Sequence, residues 1–302
     1  DDCPLVSYGK AGLTWTGNCP APYIPNYSLA QVLPILAGAA KGVGTVNIVA
    51  DADQIVRRIA LFVREGDTLF PALAAEAVRL QRGEHDYVIE SANGTGEPSF
   101  GEQTGINYVD IADLRIPTDA NGQLTLKYRH TNPAAFVSAT AVLGGAVPAT
   151  QIAHKIIFIG LGATSAGLVD LHPTPIDAAV PGVEIMEQAA ENILGGTELQ
   201  RPSYIIAVEE LIVLAITLVL AVAMPRVAAR WLIILSGSLL LLVVGGGWAA
   251  YNYASFLIDP VYPVLVLVTF VAVVTFHIYR YSELQRGRVR RAFELPRPDI
   301  EQ

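Results

Sequence analysis

The chain has 302 residues, of which 52% are hydrophobic and 16% charged, and its formal net charge is −8. Residues 203–302 contain 8 Lys and Arg against 7 Asp and Glu, so the acidic excess lies in residues 1–202. An acidic segment without a basic stripe excludes nucleic acid as a partner, and its length is enough for one domain with its own hydrophobic core.

The first 28 residues predict an irregular arm closed by a disulfide bond. Cys3 and Cys19 are the only 2 cysteines of the chain. In an oxidising compartment they indicate a bridge that closes a loop of about 16 residues and contributes on the order of 3 kcal/mol. Two unpaired thiols are the alternative. Because the chain opens at Asp1 without an apolar leader, we expect a signal sequence or a first transmembrane helix to have been removed, or to lie outside these residues.

Residues 29–202 begin with a strand pattern and a helix. Apolar residues alternate with other residues over 43–49 and again over 55–63, and the acidic residues between these runs are turn-prone. This pattern predicts a β-hairpin. A helix is predicted to start at Pro71 with Leu73, Ala77 and Leu80 on one face.

A second turn and a second helix follow. Residues 114–116 and 124–128 flank Asp119-Ala120-Asn121-Gly122, and Asn-Gly is a strong turn pair. We expect the helix to run from Pro133 or Ala134 to Leu143 and to end at Gly144-Gly145.

The last part of this segment predicts a buried strand and a helix. Lys155 to Ile159 is a short continuous apolar run, which is typical of a strand covered on both faces. Pro181 begins a helix that ends at Gly195-Gly196. Its inward residues are predicted to be Val183, Met186, Ala190 and Ile193 or Leu194. Together these elements predict an α/β domain with a mixed sheet and helices.

The last third of the chain contains three long apolar runs, at about 204–224, 231–251 and 261–279. Each has about the 20 residues that a helix needs to cross a hydrocarbon core of roughly 30 Å. Arginines lie between the first two runs and after the third, whereas residues 252–259 contain no Lys or Arg. Positive charge marks the cytoplasmic side. The sequence therefore predicts an α-helical membrane domain of three transmembrane helices, with residues 1–202 outside the cytoplasm and a cytoplasmic juxtamembrane tail at 282–302.

Glu209 and Glu210 lie inside the first apolar run. A helix that began after them would be about 21 Å long, too short for the membrane core. They are therefore expected near the outer boundary. Two interpretations stay open: acids in the first turns of a helix, favoured by the helix dipole, or a polar contact between helices or subunits.

Three segments together resemble a known family. They are NIVADADQIVRRIALFV at 47–63, LRIPTDANGQLTLKYR at 114–129, and the stretch that ends in PGVEIMEQAAENILGG at 181–196. The last stretch holds, in order, Ile159-Gly160, Gly167-Leu168 with Asp170, Thr174-Pro175, and Pro181 to Glu184. This ordered series resembles the second subtype of the CHASE-type extracytoplasmic sensor domains. Two positions depart from the pattern: Gln54 stands where the family usually has Gly, and Met186 where it often has His.

The resemblance covers most of residues 30–202 and implies a function. Family members typically continue into three transmembrane helices and a cytoplasmic output domain, most often a nucleotidyl cyclase and otherwise a protein kinase. The resemblance implies the bacterial inner membrane, with the domain on the periplasmic side, and an adenylate cyclase as the full-length protein. Residues 286–293 resemble the lead-in to a class III cyclase, but no catalytic part of a cyclase or kinase is present in these residues. Class III cyclases build their active sites between two catalytic domains, so a homodimer is expected.

The predicted ligand-binding residues are Gly160, Ser165, Asp170, His172 and Thr174. They follow the predicted strand 155–159, and ligands commonly bind at strand ends in open sheets. Residues 160–165 lack the Gly-Lys-Ser/Thr ending of a phosphate loop, and Ser165 has no nucleophile elbow around it. Phosphate binding and a Ser165–His172–Asp170 hydrolytic set are therefore the weaker interpretations. A signal-binding loop and a structural turn both remain open.

We expect no catalytic residue, no metal ion and no cofactor in these residues. Asp51 and Asp53 resemble part of a calcium loop. The remaining ligands are not visible, so solvated turn acids are the preferred interpretation.

Two functions remain possible. The first is a receptor module whose outer domain senses a signal and relays it through the membrane helices. The second is an accessory or structural subunit that docks through the outer domain within a larger membrane complex. The expected partners are the lipid bilayer, an unknown extracytoplasmic ligand or protein, and a second copy or other membrane-protein subunits.

Overall fold

The structure is a computed structural model and describes residues 3–30, 32–95, 105–162, 170–202 and 204–294. The chain divides into two units, Asp1–Tyr204 and Ile205–Gln302, here called the N-terminal and the C-terminal unit. Each unit is described by itself.

The N-terminal unit contains strands and helices in mixed order, which confirms the predicted α/β class. The strands are β1 (Val6–Ser7), β2 (Gly12–Thr16), β3 (Arg58–Ala60), β4 (Phe62–Glu65), β5 (Thr68–Pro71), β6 (Asp86–Ser91), β7 (Ile106–Ile111), β8 (Leu114–Pro117), β9 (Gln123–Thr125), β10 (Leu171–His172) and β11 (Val180–Pro181). The helices are α1 (Pro34–Ala39), α2 (Leu73–Arg82), α3 (Ala92–Thr95), a 3-10 helix (Pro133–Ala135), α4 (Ala139–Leu143), α5 (Ala149–Ile152) and α6 (Gly182–Gly195).

The largest sheet among the described residues has the order β2-β6-β7-β8. Strand β2 is parallel to β6, and the other neighbours are antiparallel. A second sheet has the order β1-β5-β4, while β3 pairs with β9 and β10 pairs with β11. Because β1 and β2 each pair in parallel with a strand far along the chain, the N-terminal arm is part of the folded unit.

The predicted disulfide bond of the arm is present. Cys3 and Cys19 are bonded, with their Cα atoms 5.4 Å apart. The bridge joins the residues before β1 to those after β2, which are the two strands that the arm adds to the sheets.

The four-stranded sheet has one apolar and one polar face, as the two-residue period of strands requires. Tyr87, Ile89, Val109 and Ile116 are fully buried on the apolar face. On the opposite face Arg115 forms an ion pair with Glu90 and lies over the ring of Tyr108. The apolar face therefore supplies one wall of the hydrophobic core.

Helices α2 and α6 pack against each other within this core. Helix α2 contributes Ala74, Ala75 and Val78. The prediction of Leu73, Ala77 and Leu80 as its apolar face is therefore wrong, and Pro71 ends β5 instead of starting the helix. Helix α6 is buried on most sides, and its buried set is Gly182, Glu184, Ile185, Met186, Gln188, Ala189, Ala190, Asn192 and Ile193. The predicted bounds of α6 and its inward Met186, Ala190 and Ile193 are confirmed, but the polar members of this set were not predicted.

A buried ion pair lies within this core. Arg79 Nη2 is 2.6 Å from Glu76 Oε1, and both side chains are almost fully buried. The hydroxyl of Tyr87 donates to Glu76 Oε2 at 2.6 Å. These bonds compensate the carboxylate for its loss of water, without which a buried charge is unfavourable.

The predicted hairpin of 43–49 and 55–63 is wrong in its first strand. Residues 43–49 form no strand; Thr45 instead pairs with the residue just before α2, and its amide donates to Pro71 O at 2.7 Å. The second run contains β3 and β4. The turn between the runs is present, with the Gln54 amide donating to Asp51 O at 2.8 Å. Gln54 adopts a φ of 67°, a left-handed conformation that glycine adopts more easily.

The Asn-Gly turn is present, but the strands that it connects do not pair with each other. The Gly122 amide donates to Asp119 O at 2.9 Å. Strand β8 pairs with β7, whereas β9 pairs with β3. The turn therefore passes the chain from one sheet to another.

The predicted buried strand at 155–159 is wrong. These residues form no strand; Ile159 is 91% exposed, and Phe158 packs against the core. The predicted helix up to Leu143 is divided into the 3-10 helix and α4, and it ends at Gly144 as expected.

The C-terminal unit consists of helices α7 (Tyr204–Ala223), α8 (Ala229–Ala254) and α9 (Val261–Glu294). Among the described residues, Tyr204–Ala223 and Arg230–Ala254 are long and apolar enough to span a membrane, and both are mostly exposed. The apolar part of α9, Val261–Phe276, is shorter. Two of the three predicted spans are therefore supported as candidates.

We predict that Tyr87→Phe lowers the free energy of unfolding by about 1–3 kcal/mol, because the buried carboxylate of Glu76 loses a hydrogen-bond donor. The measurement is chemical denaturation of the full chain in detergent micelles. Tyr8→Phe is the matched control, because its ring stacks on Phe70 and needs no hydroxyl to do so. Equal stability of Tyr87→Phe and Tyr8→Phe would contradict the structural role of the buried bond.

Candidate functional site

Three predicted site residues lie at the β10–β11 hairpin. Asp170 immediately precedes β10, His172 is its last residue, and Thr174 lies in the loop that leads to β11. Thr174 forms the tight turn of this hairpin: its amide donates to Asp177 O at 2.8 Å, and its hydroxyl accepts from the Asp177 amide at 3.1 Å. Thr174 is only 6% exposed. A second bond, from the Val56 amide to Pro173 O at 2.8 Å, attaches the hairpin to the residues just before β3. Thr174 therefore has a structural role in the turn.

Asp170 and His172 form a pair beside the start of α6. His172 Nε2 lies 2.8 Å from Asp170 Oδ1. The Asp170 carbonyl accepts from the Gly182 amide at 3.0 Å, and a Cβ at Gly182 would collide with the Asp170 carboxylate. The absence of a side chain at the first residue of α6 thus permits this close approach.

Gly160 reaches the same end of α6 from another direction. A Cβ at Gly160 would lie 2.6 Å from the Cβ of Val183, so the glycine allows the chain to pass close to the helix. The structure therefore brings Gly160, Asp170 and His172 together around the first turn of α6. Ser165 lies outside the described residues. A ligand-binding role for this group stays a prediction.

Asp177 connects the hairpin to the extended chain that follows β9. Its carboxylate lies 3.1 Å from His130 Nδ1 and accepts from the Thr131 amide at 3.2 Å. The hydrogen bond from His130, followed by that from the Thr131 amide, lowers the pKa of Asp177. The hydroxyl of Thr131 donates in turn to Glu184 Oε2 at 3.0 Å, which extends the connection to α6.

Two side-chain amides of α6 form hydrogen bonds with the backbone of Lys127 and Arg129. Asn192 Oδ1 accepts from the Lys127 amide at 2.9 Å, and its Nδ2 donates to Lys127 O at 3.3 Å. Gln188 repeats this arrangement one turn earlier: Oε1 accepts from the Arg129 amide at 3.1 Å, and Nε2 donates to Arg129 O at 3.2 Å. We call these four bonds the amide ladder. It replaces the neighbouring strand that an extended chain would otherwise need.

The guanidinium of Arg129 adds charge to the same contact. It bonds Glu187 at 2.7 Å and Glu191 at 2.8 Å on the outer side of α6. Burial raises the pKa of Glu187, which the positive charge of Arg129 opposes. The carboxylate bonds raise the pKa of Arg129, the largest contribution coming from Glu191.

The acidic turn before β3 is neutralised by arginines. Arg57 bonds Asp53 at 2.7 Å and Asp51 at 3.0 Å, and Arg58 bonds Asp51 at 2.6 Å. The hydrogen bond from Arg57 lowers the pKa of Asp53 to about 2. These acids therefore act in ion pairs. Within the residues that the structure describes, no group of three or more His, Cys, Asp and Glu is placed to hold a metal ion.

Sequence reasoning missed the polar stripe of α6. Glu184, Gln188 and Asn192 recur every four residues, so they lie along one face of the helix. The signal was present in the spacing. The burial of these three residues was not predicted, because polar residues on a helix are ordinarily assigned to the solvent side.

The geometry defines a mixed α/β unit whose last helix is held by the β10–β11 hairpin and by the amide ladder. A comparison with protein families finds that the CHASE2 domain matches residues 10–225. The chain therefore belongs to the CHASE2 family, whose domain is an extracellular sensor domain of signal receptors. No curated protein and no solved structure matches the chain.

We predict that Asn192→Leu lowers the free energy of unfolding by about 1–3 kcal/mol, because the backbone amide and carbonyl of Lys127 lose their partners where the chain is partly buried. Chemical denaturation of the full chain in detergent micelles measures the change. Glu191→Gln is the matched control on the next residue; it weakens an exposed ion pair, which costs less than about 1 kcal/mol. An Asn192→Leu variant no less stable than Glu191→Gln would be evidence against the amide ladder.

Proposed function

We propose that the chain is the sensing and membrane part of a bacterial transmembrane receptor. In this proposal the N-terminal unit lies outside the cytoplasm and senses a signal, and the helices of the C-terminal unit relay it to a cytoplasmic output domain. The output domain is most often a nucleotidyl cyclase of class III in receptors of this kind.

One observation carries the proposal. The family match begins at residue 10 and ends at residue 225, so it covers the N-terminal unit from β2 onward and continues through α7. A sensor domain and the helix that follows it are thus matched as one continuous segment. A change around α6 has a short covalent route to α7 through residues 196–203.

The membrane arrangement rests on composition and charge. Helices α7 and α8 carry large exposed apolar side chains such as Leu214, Leu218 and Leu241, which lipid would cover. We propose α9 as a third span, because the apolar run of the sequence at 261–279 has about the 20 residues that a span needs, although the apolar helix Val261–Phe276 is shorter. Its arginines follow the apolar part, and their number supports a cytoplasmic position for the end of α9.

The proposal includes a ligand or protein signal at the hairpin and a homodimer. The hairpin residues Asp170 and His172 lie at the start of α6, so a ligand there would act on the helix that precedes α7. A dimer would bring two output domains together. Membership of a sensor family does not favour the alternative of an accessory subunit.

The test joins residues 1–302 to the catalytic domain of a class III nucleotidyl cyclase and measures cyclic nucleotide formation in membranes. Thr174→Val removes the hydroxyl that forms the hairpin turn. We expect this substitution to change the cyclase rate by about fivefold or more, the lower end of ordinary allosteric coupling. Equal amounts of each chimera in the membrane are confirmed by immunoblotting.

Asp67→Asn serves as the control, because Asp67 is exposed in the turn between β4 and β5. Its cyclase rate should equal that of the parent chimera. A Thr174→Val chimera that also keeps the parent rate would contradict the proposed function.

A further inference from the structure

Glu209 is a charged residue buried on an otherwise apolar helix. It lies in the second turn of α7 and is 7% exposed, whereas the adjacent Glu210 is exposed. Acidic residues are unfavourable within apolar helices of membrane proteins and are usually paired or functional there. Of these two neighbouring glutamates, only Glu209 is therefore enclosed by other protein groups.

The carboxylate of Glu209 is bonded to the start of α9. Glu209 Oε1 accepts from the backbone amide of Asp259 at 2.7 Å. The side chain of Asp259 accepts in turn from the amide of Val261, the first residue of α9, at 2.9 Å. The first amides of a helix lack partners within the helix. Glu209 and Asp259 together therefore organise the beginning of α9.

A second contact joins the same two helices about two turns further along. Ile216 and Leu220 of α7 and Leu267 of α9 belong to one buried cluster, on which side chains of α8 such as Leu239 also pack. Ile216 follows Glu209 by about two helical turns, and Leu267 follows Asp259 by about the same amount. The two contacts are equally spaced along α7 and α9, as expected for two helices that lie side by side and run in the same direction.

Three polar side chains of α8 form hydrogen bonds within their own helix. The hydroxyls of Ser236 and Ser238 donate to carbonyls one turn earlier in α8, at 2.8 and 2.9 Å. The side-chain amide of Asn252 likewise donates to the carbonyl of Trp248, one turn earlier, at 2.9 Å. These side chains form hydrogen bonds within α8, whereas the hydrogen bond of Glu209 joins α7 to the start of α9.

We propose that Glu209 is a positioning residue that couples α7 directly to α9. Through its bond to the Asp259 amide, a displacement of α7 is carried to the start of α9, beside any path through the α8 side chains that pack on the shared cluster. The inference rests on the proposed function, in which α7 receives the movement from the sensor unit and α9 delivers it to the output domain.

Cross-linking of the full chain in membranes tests the coupling. Leu267→Cys is combined with Ile216→Cys in one series of variants and with Leu220→Cys in another, while Cys3 and Cys19 remain bonded to each other. The rate of disulfide formation on mild oxidation is followed by mass spectrometry of the joined peptides. At least one pair should cross-link rapidly in the parent chain.

Three substitutions are then compared in the pair that cross-links. Glu209→Ala should slow cross-linking by about tenfold, because the bond to the Asp259 amide is lost. Glu209→Gln keeps an acceptor oxygen and should restore the parent rate. Glu210→Ala is the matched control and should equal the parent. The inference is overturned if Glu209→Ala keeps the parent rate, if Glu210→Ala slows cross-linking equally, or if Glu209→Gln fails to restore it.

A second measurement follows the signal itself. In the cyclase chimera, Glu209→Ala should abolish the response to Thr174→Val, and Glu209→Gln should retain it. A response that persists with Glu209→Ala contradicts the coupling. Cross-linking does not depend on cyclase activity. A chimera whose cyclase rate does not respond to Thr174→Val would therefore count against the proposed function, and the cross-linking rates alone would then decide whether Glu209 couples the two helices.

Discussion

The backbone of a partly buried segment must find hydrogen-bond partners, and in this protein helix α6 supplies them from its side chains. Unpaired amide and carbonyl groups inside a protein are costly. Gln188 and Asn192 meet this requirement for Arg129 and Lys127 with two bonds each. Because the two amides lie one helical turn apart, they fix both the rotation of α6 and its position along the segment.

The rest of the N-terminal unit is arranged around this constraint. One side of α6 packs on α2, which contains the buried ion pair of Glu76 and Arg79. The start of α6 is approached by Asp170 and Gly160, and the chain after its end is bonded again to β9 through the Leu199 amide and Thr125 O at 3.1 Å. The helix is thus held along its length and at both ends. A change at the β10–β11 hairpin would meet α6 at its first turn, and the other end of α6 leads toward α7.

The parts of the fold that depend on local chemistry could be predicted from the sequence. Helix α6 was bounded by Pro181 and by the glycines at 195 and 196, the Asn121-Gly122 turn formed, and Cys3 and Cys19 were correctly paired. The apolar helices α7 and α8 were recognised from length and hydrophobicity alone. Each of these signals is carried by residues close together in the chain.

The parts that depend on partners distant in sequence could not be predicted. The runs 43–49 and 155–159 have the composition of strands, but a strand needs a partner, and residues 43–49 bond to the entrance of α2 instead. The Asn-Gly pair predicted a turn, but not that β8 and β9 on either side of it belong to different sheets. At the candidate site, Asp170, His172 and Thr174 were predicted from their position after an apolar run, and their ligand-binding role stays a prediction. The polar stripe of α6 was not predicted, because the segment 127–131 that it contacts is distant in sequence.

The most direct test of this account is the hydrogen exchange of the Lys127 and Arg129 backbone amides in the full chain. These two amides donate to side-chain oxygens, so their exchange reports the amide ladder without any substitution. The account predicts that both amides are protected to the same degree as the amides of α6, because they open only when α6 separates from the segment. Exchange of Lys127 and Arg129 at the rate of an exposed loop, while α6 remains protected, would contradict it.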